Sequence, residues 1–389
     1  MGRLLGSSTN VTSFSISGDM PSLAEVWNEL SSALSKTAFY PIDGTNDEAS
    51  LGWVTFDDPA AIDFSDQDSV LRDRYLALTF RCDTRRLPGA VFREAVEKQK
   101  KAYLEKHPEL KRIPKAVREE IREQVRTRLL SKTLPVPNIC DLVYDFETHD
   151  LLIGTGSPAQ ADVIVGLFKK TFPGIQVSLI HAFARAYRLV DTELKAALER
   201  ASTIPPSGSA LDHVKHNAWL GSDFLTWLAF QTASGAGEYT VEVSGPMAPS
   251  TKFVGYVNSK MNLAGDTEYG RSRVLLNGPQ ESFRELKTAI LSQKKITDAM
   301  LYFEVEELQW RLTLNAGSFT VSGLRCPRIV TDTDAEDEKA ERLAVFFEKM
   351  HGISSALQML DSLYLTFLRL RLSPKWGAEL TDLQQWLES

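Results

Sequence analysis

The sequence is poor in the features that mark secreted, membrane-spanning or phosphate-hydrolysing proteins. Its only cysteines are Cys82, Cys140 and Cys326, odd in number and widely spaced. They suit neither a disulfide framework nor a zinc site, so reduced thiols and a cytoplasmic setting are expected. No apolar run is long enough to cross a bilayer; the richest, residues 352–370, is interrupted by Asp361 and Arg369. The opening MGRLLGSSTNVTSF lacks the basic stretch and sustained apolar core of a secretory signal. Gly6 stands where a myristoylation signal wants Ser or Thr. There is no Gly-rich loop ending in Lys-Ser/Thr and no Gly-x-Ser-x-Gly elbow, which argues against P-loop nucleotide hydrolysis and serine-hydrolase chemistry. Internal repeats and low-complexity tracts are also missing. With 43% apolar and 24% charged residues over 389 positions, the chain has enough core-forming material for two or three folded regions.

Positive charge is scarce overall but concentrated in one place. The chain carries a formal charge of −7, yet residues 91–132 hold thirteen Lys/Arg against seven Asp/Glu. This stretch reads as two helical patterns joined by the breaker His107-Pro108-Glu109. Each pattern has a proline at its start, Pro88 and Pro114, where a missing N–H costs nothing. In the second pattern, Lys111, Lys115, Arg118, Arg122 and Arg126 fall within about 80° of one another on a helical wheel. Arg112 and Lys132 extend the basic character at its two ends. Ile113, Val117 and Ile121 form a separate apolar stripe that can dock the helix. Glu119, Glu120 and Glu123 flank the basic stripe without interrupting it. Two readings follow: a solvated face laced with i,i+4 pairs, or a surface for a polyanion.

Around this arm the pattern is α+β, with antiparallel sheets, packed helices and the basic helical arm standing apart. Residues 22–35 read as a helix with a Ser22/Glu25 capping box, and residues 74–82 as a strand. Residues 139–146 and 151–154 form a hairpin; a helix from Ser157 to Phe172 and a strand over 176–180 follow. A single helix is expected over 182–201, then the linker TIPPSGSA and a helix over 223–231. Strands near 239–243 and 253–257, a helix over 282–294 and strands over 299–306, 310–314 and 318–321 complete a second sheet. A long helix over 340–370, interrupted at Gly352, is too apolar all round for a surface helix, which suggests core or a subunit interface. The regions expected are 1–87 with 138–182 (central α+β), 88–137 (arm), 183–236 (helical, with linker), 237–375 (C-terminal α+β) and 376–389 (tail).

Three clusters could suggest catalysis or metal binding. Asp145, Glu147, His149 and Asp150 occupy the hairpin turn, where acids are expected on solvation grounds alone. His213 and His216 are spaced i,i+3 but lack the intervening Glu of a zinc protease. Asp332, Asp334, Glu336 and Asp337 lack the glycine and the distal Glu of a calcium loop. No cofactor and no enzymatic activity are expected. A metal-dependent nuclease using the Asp145–Asp150 turn, and a protein–protein scaffold using the last long helix, are the alternatives.

Several stretches together resemble the bacterial recombination-associated protein RdgC family. They are Ala38-Phe39 with Pro41; Leu51-Gly52-Trp53-Val54; the strand from Leu76 to Arg81 leading to Leu87-Pro88 and Val91; and Lys111 to Leu130. The Asp145 turn with Leu151-Leu152-Ile153, and Leu225-Thr226-Trp227, continue the series, which extends through Lys295 to Leu314 and the final long helix. Order and spacing carry this resemblance, since no single piece is diagnostic. It implies a non-catalytic protein that forms a ring-shaped homodimer around duplex DNA, binds without sequence preference and restrains RecA-driven strand exchange at the nucleoid. Within it, Lys111 and Lys132 match DNA-facing basic positions, Leu134 replaces an aromatic near the tip of the arm, and Arg271 and Arg273 approximate a second contact region. Residues 182–216, 238–266 and those beyond Pro374 stand out as additions.

Overall fold

The computed structural model describes residues 3–22, 26–45, 47–202, 210–235, 237–268, 270–279, 283–328 and 338–389. Its elements run β1 (Thr9–Gly18), α1 (Val26–Lys36), β2 (Ala49–Val54), β3 (Leu71–Arg72), β4 (Tyr75–Thr84), α2 (Gly89–Lys106), α3 (Lys115–Leu130), β5 (Val136–Asp145) and β6 (Asp150–Ile153). There follow α4 (Pro158–Thr171), β7 (Ile175–Leu179), α5 (Ala182–Leu189), α6 (Thr192–Ala201), α7 (Ala210–His216), α8 (Ala218–Ala233), β8 (Glu238–Thr240), β9 (Lys252–Thr267) and β10 (Gly270–Asn277). The chain closes with α9 (Arg284–Leu291), β11 (Lys295–Val305), β12 (Leu308–Asn315), β13 (Val321–Arg325), α10 (Glu338–Arg371) and α11 (Trp376–Glu388). The fold is α+β with extensive antiparallel pairing, as the sequence pattern suggests. Contacts divide the chain into two compact units, one of Pro21–Phe146 with Gly166–Pro173, the other of Gly2–Met20, Glu147–Val165 and Gly174–Ser389.

In the first unit β4 lies between β2 and β5, and β3 adds a short pairing to β4. Tyr75 to Phe80 are all buried, as a strand paired on both sides and packed on both faces should be. Trp53 anchors this core, fully buried and edge-on to Phe80 and Phe168 at 6.3 Å each. Its indole N–H would be costly to bury unpaired, and it donates to the Thr171 hydroxyl at 2.7 Å. The segment leaving α1 runs parallel beside β2: Trp53 N–H donates to Thr37 O at 3.0 Å and Phe39 N–H to Trp53 O at 2.9 Å. Gly52 sits between these bonds, and a Cβ there would lie 2.2 Å from Phe39 N. Two of the stretches that carry the family resemblance, 38–39 and 51–54, are thus one backbone contact.

The second unit is built on the strand order β10-β9-β11-β12-β13-β1-β6, with β7 also on β1 and β8 on β9. Its aromatic core gathers Phe224 of α8, Phe319 before β13, and Tyr364 and Phe367 of α10, with ring centroids 4.6–6.2 Å apart. The long helix over 340–370 therefore contributes core, and this accounts for its lack of a polar face.

Four expectations are corrected. The helix expected over 182–201 is two helices, because Val190 N–H closes α5 and the Asp191 side chain accepts from Leu194 N at 2.9 Å to cap α6. The break expected at Gly352 is absent, and α10 runs straight through it. The glycine serves close packing instead, since an added Cβ would stand 3.0 Å from Cys326 Cβ. The strand expected over 318–321 begins at Val321, because Asn315 accepts from Gly317 N, Ser318 N and the Ser318 hydroxyl to form a turn. Finally, the expected tail is α11. Its Glu379 accepts from Trp227 Nε1 at 3.0 Å and Gln231 Nε2 at 2.7 Å, both on α8. Glu379→Ala would leave two part-buried donors unpaired, so urea unfolding is expected to show a loss of about 1–2 kcal/mol. The partner of the Ser22 capping box, Glu25, lies outside the described residues, as do the linker residues 203–209.

Candidate nucleic-acid interface

The basic arm forms as two helices, α2 and α3, packed on each other within the first unit. Val96, Ile121 and Val125 make its buried seam, and Phe92, Ala95, Tyr103, Val117 and Leu129 close over it. Val117 and Ile121 of the apolar stripe seen in the sequence therefore dock α3, joined by Val125, while Ile113 precedes the helix, which turns its other side to solvent. On that side Lys115, Arg118, Arg122 and Arg126 are all exposed. Spacings of three and four residues stack them along one face, so their charges add.

The five-residue stripe is not entirely helical. Lys111 and Arg112 lie in the connection between α2 and α3, exposed but off the helix. Pro108 and Pro114 are the cause, since a residue preceding proline is driven out of the α region. Leu110 N–H bonds to His107 O at 3.0 Å and holds this connection as a tight turn. Lys132 is exposed just beyond α3, and Leu134 is 81% exposed, an uncovered apolar side chain beside the basic face.

The cations also differ in how free they are. Arg126 donates through Nε to Glu48 at 2.6 Å, so its charge is already answered. Lys115 reaches Glu119 only at 3.9 Å, a loose pair with both side chains mostly in water. Arg118, Arg122, Lys111, Arg112 and Lys132 have no ion-pair partner among the described residues. These five, with Lys115, are the groups available to a polyanion.

Arg271 and Arg273 lie on β10 in the second unit, both exposed. Strand register places Arg273 opposite Ala264 of β9, and Ala264 opposite Lys295 of β11, so two cations flank a small residue in one row. Arg271 stands opposite Asp266. A cavity of about 1360 Å³ adjoins this row, lined by Arg271, Lys295, Lys215, His216 and Trp219 among others. The His216 ring approaches Asp212 O through Nδ1 at 3.0 Å; the His213 side chain lies outside the described residues. Sequence reading passes over Lys215 and Lys295, because only strand pairing and the placement of α7 bring them beside Arg271.

The acidic turn between β5 and β6 is committed elsewhere. Asp145 pairs with Arg74 at 3.1 Å. Asp150 receives both Arg188 guanidinium nitrogens, at 2.9 and 3.2 Å. His149 has φ of 58°, and its carbonyl accepts from Ile16 N at 2.9 Å. Among the described residues no three His, Cys, Asp or Glu side chains converge as a metal site would require. The acids at 332, 334, 336 and 337 lie outside the described residues.

An α+β protein carrying a two-helix basic element with an exposed, largely unanswered cationic face among its described residues belongs, by that geometry, among candidates for phosphate-backbone binding. Comparison with known families agrees with the resemblance read from the sequence: residues 9–189 match the RdgC family model, described as "Putative exonuclease, RdgC". The match takes in the arm and ends before α6, so Arg271, Arg273 and the final helices lie beyond it. No curated protein matches the chain. No helix among the described residues is long and apolar enough to cross a membrane.

Proposed function

We propose that this protein binds duplex DNA without reading its sequence, using the exposed face of α3 and the turn before it. The observation that carries this reading is a set of exposed cations beside a docked apolar seam: Lys111, Arg112, Arg118, Arg122 and Lys132, with no ion-pair partner among the described residues, and the loosely paired Lys115. Such groups neutralise phosphates and release condensed counterions, which gives affinity for any sequence and a steep dependence on salt. Arg271, Arg273, Lys215 and Lys295 form a second cationic region that suits the same ligand. The match to the RdgC family model supports a role connected with recombination. The finer picture is a homodimer that encircles DNA at the nucleoid and restrains RecA without cleaving anything, and it rests on the resemblance. Although the family description names an exonuclease, we favour a non-catalytic role because arginines engage both Asp145 and Asp150.

The test is binding to two unrelated end-labelled duplexes across a salt series, with and without magnesium. Equal affinities that fall together with salt, and labelled DNA that stays full length, are expected. Magnesium-dependent shortening that disappears in the Asp145→Ala, His149→Ala double variant would overturn the non-catalytic reading. Sedimentation at micromolar concentration without DNA is expected to show a dimer; a monomer would remove the ring.

A further inference from the structure

We infer that the second unit holds a separate binding site for a phosphorylated small molecule, in a cavity of about 790 Å³ where the N-terminal segment, the end of β13 and α10 meet. Three cations line it: Arg325, Arg328 and Lys349. None has an ion-pair partner among the described residues, and Glu348 is the only acid among the described lining residues. Strand pairing adds a fourth positive charge nearby, because Arg311 of β12 stands directly across from Arg325. Like charges opposed across a strand pair destabilise it unless something offsets them. An anion between these side chains would do so.

The donor set favours phosphate. Two guanidinium groups offer planar forks that match two oxygens each, and Lys349 supplies a compact charge. The cavity is far larger than an inorganic phosphate and falls within the range of small-ligand sites, roughly 300–1,000 Å³. Leu5, Pro327 and Val345 supply an apolar wall, and Val345 is 47% exposed, surface that an organic group would cover. The supporting elements are rigidly joined. Trp310 Nε1 of β12 donates to Gly352 O at 3.0 Å, and Cys326, the residue after β13, lies against Gly352, so this edge of the sheet is held to α10.

Cys326 also lines the cavity and reports on it. Burial pushes its thiol pKa up, and the neighbouring Lys349 ammonium pulls the other way, which places the sulfur close to one of the three cations. Occupancy should therefore shield it from alkylation. The experiment measures N-ethylmaleimide labelling of Cys326 in the full-length protein by mass spectrometry, with Cys82 as internal reference. The probes are pyrophosphate, adenosine monophosphate, and a duplex DNA. Either small phosphate, at up to about 10 mM, is expected to slow Cys326 at least about threefold while leaving Cys82 unchanged. The Arg325→Gln, Arg328→Gln double variant should lose the protection. Lys349→Gln, a helix-compatible change, should weaken it and provides a second variant should the first fold poorly. Equal labelling with and without both small phosphates, protection retained in both variants, or protection by duplex DNA alone would each overturn the site. Failure of DNA binding at the arm would leave it standing.

Discussion

Replacing Arg118 and Arg122 with glutamine is expected to flatten the dependence of log affinity on log salt by nearly two units. Each phosphate contact to B-DNA contributes a slope of about −0.9, because one neutralised phosphate releases about that many condensed counterions. At ~50 mM salt this amounts to roughly one decade per contact, so the double variant should bind about a hundredfold more weakly. The loss should be the same on duplexes of different sequence, since phosphate contacts carry no base information. Glutamine keeps helix propensity high, both side chains are exposed, and neither has an ion-pair partner among the described residues, so the unfolding midpoint should hardly move. Arg126→Gln offers an internal contrast. Glu48 already answers that guanidinium at 2.6 Å, and its replacement should change the slope less than Arg118→Gln alone. A filter-binding or anisotropy series over salt measures all three. An unchanged slope in the double variant would remove α3 from the DNA site, and a loss confined to one duplex would mean that bases are read.

Gly52→Ala is expected to be the most damaging single-atom addition in the first unit. The new Cβ would lie 2.2 Å from Phe39 N and 2.4 Å from Ala38 C, and backbone cannot swing aside as a long side chain can. Relief requires the segment after α1 to move off β2, which breaks the Trp53 N–H to Thr37 O and Phe39 N–H to Trp53 O bonds together. Overpacking of this kind costs about 1–3 kcal/mol, and two broken buried bonds add roughly 1–3 more. Denaturant unfolding followed by tryptophan fluorescence reads the change, because Trp53 is the reporter nearest the clash. A stability loss below about 1 kcal/mol would mean that the contact is looser than the structure places it.

The unit bearing Gly52 and the one bearing Arg271 differ in how much the sequence reveals. The arm was legible because its determinants are local. Two prolines delimit its helices, the apolar spacing names the docked face, and the cations follow at three- and four-residue intervals. Even there Lys111 misled, since wheel geometry extended α3 upstream of Pro114, where the helix starts. Strand order in the second unit, by contrast, depends on pairings between residues hundreds of positions apart, such as Thr9 with Leu324.

By itself the sequence determined that the protein is α+β, that a local excess of positive charge sits in one helical pair, and which family its first half resembles. These follow from periodicity, turn residues and short-range charge, all of which act within a few residues along the chain. Tertiary structure alone decided which of those charges are free, because Glu48 reaches Arg126 from 78 positions away. It also decided that Gly352 is a packing site rather than a helix break, and that Lys295 stands in a row with Arg273. Arg325, Arg328 and Lys349 likewise share a cavity only because Cys326, after β13, packs against Gly352 of α10. Such pairings are selected by shape and by the cost of leaving polar groups unmet, and they exist only once the chain has folded.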